Sequence, residues 1–177
     1  MFWLCKYCVT FFDETYREGI VLYFAYGSNL WRQQMTGRCP EHHVIGTGIL
    51  KGWRWIITTR GYASIAVSEN NYVLGTVYEL SETDLLSLDQ FEGVAQGNYR
   101  KEMISVDVGG RELSCLVYID PIIVEGAPKE EYVVRINNGI KDAEFPDEYV
   151  TRHIRPFVPA LQCPHSSECV DAIRHLH

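Results

Sequence analysis

Ile20-Val21-Leu22-Tyr23-Phe24-Ala25-Tyr26-Gly27-Ser28-Asn29-Leu30 sets the architecture of this chain. Ile20 to Ala25 is a nearly continuous apolar run, which reads as a short central strand buried on both faces. Tyr26-Gly27-Ser28-Asn29 then breaks the run as a turn. Leu30 to Thr36 follows as a short helix, with Ser28 or Asn29 as its cap. The unit is strand, turn, helix. A glycine in that turn lets the backbone approach a ligand closely. The free N–H groups and dipole at the helix start favour an anion or a developing oxyanion. An ordinary capped turn has the same pattern, so both readings stand on spacing alone. The loop lacks the repeated glycines and lysine of a phosphate loop.

Beyond this unit the chain is strand-rich. Val44–Lys51, Trp53–Thr59, Tyr62–Val67 and Tyr72–Leu80 read as strands, separated at Gly52, Gly61 and Asn70-Asn71. Ser81-x-x-Asp84 resembles a capping box and opens a helix through Phe91, with Gly93 just past its end. Asn98–Val108 and Arg111–Ile119 form a hairpin around Gly109-Gly110. Lys129–Lys141 reads as a helix, and Pro146 opens another that Pro156 and Pro159 end. Short consecutive strands with interrupting helices predict an α+β domain: a small mixed, mainly antiparallel β-barrel with flanking helices. The expected division is an N-terminal extension over 1–19, the domain over 20–160 and a C-terminal tail over 161–177.

The 177 residues are enough for one domain. The balance of 46% hydrophobic and 22% charged residues excludes wholesale disorder. The net charge of −7 argues against nucleic-acid binding through a broad basic face. No run approaches the ~18 apolar residues of a membrane helix. Of six cysteines, Cys115 lies in an apolar strand-like run and reads as a buried thiol. Cys5 and Cys8, with Cys163, His165 and Cys169, offer an irregular zinc-like set spanning both ends; scattered reduced thiols are the simpler reading. The apolar start carries a lysine and no small-residue cleavage pattern, so no signal peptide is expected and the protein is placed in the cytoplasm.

Glu92 is the sharpest chemical candidate. Leu85, Leu88 and Glu92 fall at i, i+3 and i+7, on one helix face. A carboxylate extending an apolar stripe is partly desolvated, and one in the last helical turn meets the negative end of the dipole. Both raise its pKa and suit a general base working near neutrality. A frayed helix end that turns Glu92 to water is the competing reading. Tyr99, Tyr118 and Tyr132 are placed to pack a ring and point a hydroxyl into a pocket. Ser28 has no convincing nucleophilic partner. Neighbours His42 and His43 point to opposite strand faces, and His153 stands alone on a helix, so a Ser–His–Asp hydrolase is weakly supported.

Together these residues resemble the γ-glutamylcyclotransferase family. The resemblance runs through Tyr23–Leu30, Arg60-Gly61-Tyr62-Ala63-Ser64-Ile65, Gly75–Tyr78 and, most sharply, Leu88-Asp89-Gln90-Phe91-Glu92-Gly93-Val94 followed by Tyr99. It continues to Asn138-Gly139 and Pro146–Tyr149 and covers roughly residues 20–159. It implies a small barrel, no cofactor, and a small-molecule γ-glutamyl substrate; charge and apolar patterning argue separately against nucleic acid or membrane as partner, and no metal is expected. The implied reaction releases an amino acid from a γ-glutamyl amino acid and leaves 5-oxoproline, as in glutathione metabolism. Glu92 is the implied acid/base. The implied substrate-binding residues are Tyr23, Phe24, Ala25, Tyr26, Gly27, Ser28 and Asn29, with Tyr132 as the best match to a pocket tyrosine. The leaving amine stays open between an amino acid, another amine, glutathione and a γ-glutamyl-protected metabolite. A non-catalytic carboxylate-binding module and a homodimer are further alternatives. The four terminal cysteines are expected to be dispensable.

Overall fold

A computed structural model describes residues 19–161. The N-terminal extension, the tail and the zinc-like set of Cys5, Cys8, Cys163, His165 and Cys169 lie outside the described residues. Five strands close into a barrel in the order β1-β3-β2-β4-β5: β1 Val21–Ala25, β2 His43–Ile57, β3 Ala63–Leu80, β4 Arg100–Val108 and β5 Arg111–Ile119. Neighbours are antiparallel except where β5 meets β1 in parallel at Tyr23 and Leu116, which closes the ring. The expected mixed, mainly antiparallel barrel is what forms. Two seams of the ring are short: β2 meets β4 in register at Ile49 and Asp107, and β1 meets β5 at Tyr23 and Leu116.

Strand β1 is buried on both sides, for a reason its sequence carries. Phe24 packs into the core with Leu50, Val77 and Val106. Tyr23 and Ala25 face the other way, into a second cluster with Met35, Cys39, Leu88 and Tyr118. That second cluster lies under α1 Arg32–Arg38 and α2 Glu82–Phe91. A strand covered on both faces needs apolar residues at every position rather than alternate ones.

Two punctuation marks act differently from the sequence reading. Gly52 and Asn70-Asn71 do not end strands. The register jumps from Lys51 opposite Tyr72 to Trp53 opposite Val67, so both marks belong to one bulge in a single long hairpin of β2 and β3. Gly61 does mark the turn, which the Thr58 N–H closes on the Tyr62 carbonyl at 2.9 Å. The second hairpin turns at Gly109 and Gly110, with φ of 61° and 84°, as its Gly-Gly pair requires. Ser81 caps α2 by accepting the Asp84 N–H at 3.1 Å.

The remaining helices are α3 Glu130–Ala143 and α4 Asp147–Tyr149, the latter running into a π-helical turn over Val150–Ile154. Among the described residues no helix is long and apolar enough to cross a membrane.

Candidate active site

The turn after β1 is a 3₁₀ turn, Ser28–Leu30, followed by α1. Neither Ser28 nor Asn29 caps a helix through its side chain, contrary to the sequence reading; Gly27 and Trp31 hold the cap positions. Both polar side chains have other partners. Ser28 Oγ accepts from Gln34 Nε2 at 2.8 Å, and Asn29 reaches inward toward Glu92. The turn is pinned from outside by Trp55 Nε1 donating to the Tyr26 carbonyl and Tyr78 Oη donating to the Asn29 carbonyl. Gly27 is required by close approach: a Cβ there would sit 2.8 Å from the Tyr132 hydroxyl. That hydroxyl accepts the Ser28 N–H at 3.2 Å.

The second component arrives on α2. Leu88 is fully buried and Leu85 packs beside it against the cluster containing Tyr23. The same face therefore carries Glu92 to the loop. Gly93, with φ of 63°, ends the helix in a conformation disfavoured for other residues. Glu92 is the C-cap residue, one position past the end of α2, and does not turn to water: its side chain is 14% exposed. Its Oε1 accepts from Asn29 Nδ2 at 3.1 Å and from Arg38 at 3.2 Å. Burial pushes the Glu92 carboxyl above the usual carboxylate range, while the Arg38 charge and the Asn29 hydrogen bond pull the other way.

Loop and carboxylate meet on one cavity of about 290 Å³. Its wall includes Tyr23, Tyr26, Gly27, Ser28 and Asn29 from the loop region, Glu92 from α2 and Tyr132 from α3. Tyr99 and Tyr118, singled out with Tyr132 in the sequence, also line it. Phe24 and Ala25 do not. Phe24 is in the barrel core and Ala25 is under α1 and α2, both fully buried. Strand alternation turns Phe24 away from the side that Tyr23 faces.

Sequence reasoning missed the cations. Arg38, Arg60 and Arg135 all reach the wall. Arg60 is held by Asp120, which is fully buried, and by the Asn98 carbonyl at 2.7 Å. Arg60 lies in a stretch already quoted for the family resemblance, so that stretch was its signal. Arg135 follows Tyr132 by three residues on one helix face, a spacing that points to it. Arg38 carries no local signal, because it meets Glu92 across 54 residues.

The chemistry available is narrow. Burial pushes the hydroxyl of Tyr132 up to about 12 and those of Tyr23, Tyr26, Tyr99 and Tyr118 far above their ordinary value. They are neutral hydrogen-bonding groups at physiological pH. Glu92 is the one carboxylate on the wall among the described residues. Among the described residues no His or Cys lines the cavity, and Ser28 is bonded to Gln34 rather than to a base. Asp89 stands behind the wall, where it accepts the Tyr118 hydroxyl at 2.6 Å and pairs with Lys101. Among the described residues no group of three or more His, Cys, Asp or Glu is gathered as metal ligands would be.

A closed barrel thus presents, among the described residues, one desolvated carboxylate among neutral tyrosines, beside a pinned polar loop. Comparison with known proteins supplies the family. The sequence model of the family described as gamma-glutamyl cyclotransferase, AIG2-like, matches residues 23–135. The mouse gamma-glutamylcyclotransferase is 31% identical over 142 residues, spanning 72% of this chain and 74% of the mouse protein. The human gamma-glutamylcyclotransferase is 30% identical over 145 residues, spanning 75% and 76%. A solved structure of a gamma-glutamyl cyclotransferase superposes with a TM-score of 0.72 at 26% identity, covering 88% of this chain and 98% of its own. The chain belongs to the gamma-glutamyl cyclotransferase, AIG2-like, family of enzymes.

Proposed function

We propose that the protein converts a γ-glutamyl amino acid into 5-oxoproline and the free amino acid, with Glu92 as general acid/base. The observation that carries this reading is Glu92 itself: a carboxylate of raised pKa, among the described residues the one of its kind on a wall of neutral tyrosines.

The substrate's own α-amine is the nucleophile. It arrives as an ammonium and cannot attack until a proton leaves; Glu92 takes it. The α-nitrogen then bonds to the γ-carbonyl carbon and closes a five-membered ring. An oxyanion develops on the former carbonyl oxygen. Collapse breaks the bond to the leaving nitrogen, which receives its proton from Glu92. No water is consumed, because both protons lost by the α-nitrogen end on the leaving ammonium. Holding nucleophile and carbonyl in one molecule supplies proximity without a second reactant. The Tyr132 hydroxyl, which accepts the Ser28 N–H and keeps its own proton to donate, and the Arg60 guanidinium are the donors on hand for the oxyanion and the substrate α-carboxylate.

The deciding experiment is a panel of γ-glutamyl compounds, namely γ-glutamylalanine, a γ-glutamyl alkylamine and glutathione, with 5-oxoproline as the product measured. Formation from γ-glutamylalanine is expected. Tight binding with no 5-oxoproline from any compound would replace the enzyme with a carboxylate-binding module.

Arg38 sets the lower pH limit of this reaction. Its charge opposes the effect of burial on Glu92. Arg38→Met keeps the apolar stem against the Phe91 ring, where the guanidinium now lies 4.9 Å from the centroid, but removes the charge. The Glu92 pKa then rises further, and a base must be ionised to act. The acidic limb of the rate–pH profile is expected at higher pH than in the parent. An unmoved limb would mean that Glu92 is not the titrating base.

A further inference from the structure

Among the described residues three guanidiniums reach the cavity, and they are not equally committed. Arg38 bonds to Glu92 and to Asn29 Oδ1. Arg60 is tied to Asp120, a carboxylate with no exposed surface. Releasing either would strand a buried or largely buried polar group. Arg135 is paired only with Glu131, at 3.1 Å, one turn back on its own helix, with the two side chains 34% and 47% exposed. Exposed i,i+4 pairs of this kind contribute little and are screened by salt. Glu131 also has a second partner, the Tyr62 hydroxyl at 3.4 Å, and open water. Arg135 can therefore turn away from Glu131 without leaving a buried charge behind.

Its place on the helix gives that freedom a direction. Tyr132 is 4% exposed and lies against the loop, on the cavity wall with the likewise buried Tyr23 and Tyr26. Arg135 lines the same cavity three residues later with its side chain 34% exposed, so it stands where the wall meets solvent. In the proposed reaction the glutamyl part must reach the largely buried Glu92, which leaves the solvent-facing part of the wall for the leaving group. Resting on the function proposed above, we propose that Arg135 is a specificity-determining residue that binds the carboxylate of the leaving amino acid. It would select γ-glutamyl amino acids over γ-glutamylamines that lack this group. The guanidinium fork matches a carboxylate with two parallel hydrogen bonds.

The test compares γ-glutamylalanine with γ-glutamylalanine amide, which differs only in having its carboxylate capped. Arg135→Ala is expected to lower kcat/KM for the acid by ~10–100-fold, mostly through KM, as for loss of a charged hydrogen-bonding partner. The amide should change by less than about threefold, since the mechanistic groups are untouched. Glu131→Gln, which frees Arg135, should move KM for the acid downward. An unchanged thermal unfolding midpoint shows that the fold is kept. Equal losses on acid and amide, or no loss on either, would overturn the assignment. A parent enzyme that forms 5-oxoproline from neither compound sinks the proposed reaction instead. Calorimetric binding of the same two compounds to parent and Arg135→Ala then decides the role of Arg135 without turnover: a selective loss for the acid supports it, and equal affinities overturn it.

Discussion

Glu92→Gln is expected to lower 5-oxoproline formation by ~10²–10⁴-fold, the usual scale of general acid–base catalysis, while the protein stays folded and still binds substrate. The amide keeps the size of the carboxylate, and its carbonyl still accepts from Asn29 and Arg38, which now meet Oε1 at 3.1 and 3.2 Å. It cannot take a proton. The loss should therefore fall on kcat, with KM changed little. Stability supplies a second readout with a defined sign. The folded-state pKa of Glu92 is raised, chiefly by burial. Between the unfolded and folded values the native state binds more protons, so its stability falls as pH rises through that window. Above the folded value the cost of the buried charge is fully present. Glu92→Gln removes this contribution. Relative to the parent, the variant should gain stability as pH rises through the window. Near-parental turnover in the variant would refute the mechanism. It would not hand the role to Asp89, which is committed to Tyr118 and Lys101.

What the sequence disclosed and what it hid divide along a physical line. Strand β1, the capping at Ser81, the Gly109-Gly110 turn and the inward face of Leu85, Leu88 and Glu92 are local patterns. Each is decided by residues within two turns or one hairpin, and each is found as read. The bulge at Gly52 and Asn70-Asn71 looked like two strand ends, because either mark alone is a turn signal. Only their pairing across β2 and β3 makes them one feature. A continuous motif carries Phe24 and Ala25 into the site, but alternation along β1 turns Phe24 into the barrel core, and Ala25, on the side of Tyr23, is packed in the cluster under α1 and α2. The ion pair of Arg38 with Glu92 was invisible, because it forms when α1 and α2 pack over the same cluster. Burial alone would leave Glu92 a poorer anion; its partners come from elsewhere in the chain.

Asn29 is where this long-range assembly is most exposed to test, and Asn29→Ala is expected to lower kcat by ~10²-fold, the scale of a misplaced catalytic group. The side chain is read from sequence as binding substrate, yet its hydrogen-bonding capacity is taken up within the protein. Nδ2 donates to the Tyr23 hydroxyl at 2.9 Å and to Glu92 at 3.1 Å. Oδ1 accepts from Gln34 and from Arg38, both at 3.0 Å. Two donors and two acceptor positions are what an amide possesses. Its orientation is fixed by chemistry, because a carboxylate must meet the NH₂ group and a guanidinium must meet the oxygen. At 3% exposure, water does not replace these bonds freely when the amide is lost, and the orphaned partners should cost about 1–3 kcal/mol of stability. Glu92 loses both a hydrogen bond that stabilises its charge and the group that aligns it with Arg38. Its acidic limb should accordingly move to higher pH. Asn29→Asp keeps the shape but sets a second carboxylate against Glu92, and like charges at this distance raise the pKa further; its limb should lie higher still. A substrate-binding role gives the opposite signature: KM rises, while kcat and the acidic limb stay where they are. That result would return Asn29 to the substrate and leave Arg38 as the principal group holding Glu92 ionised.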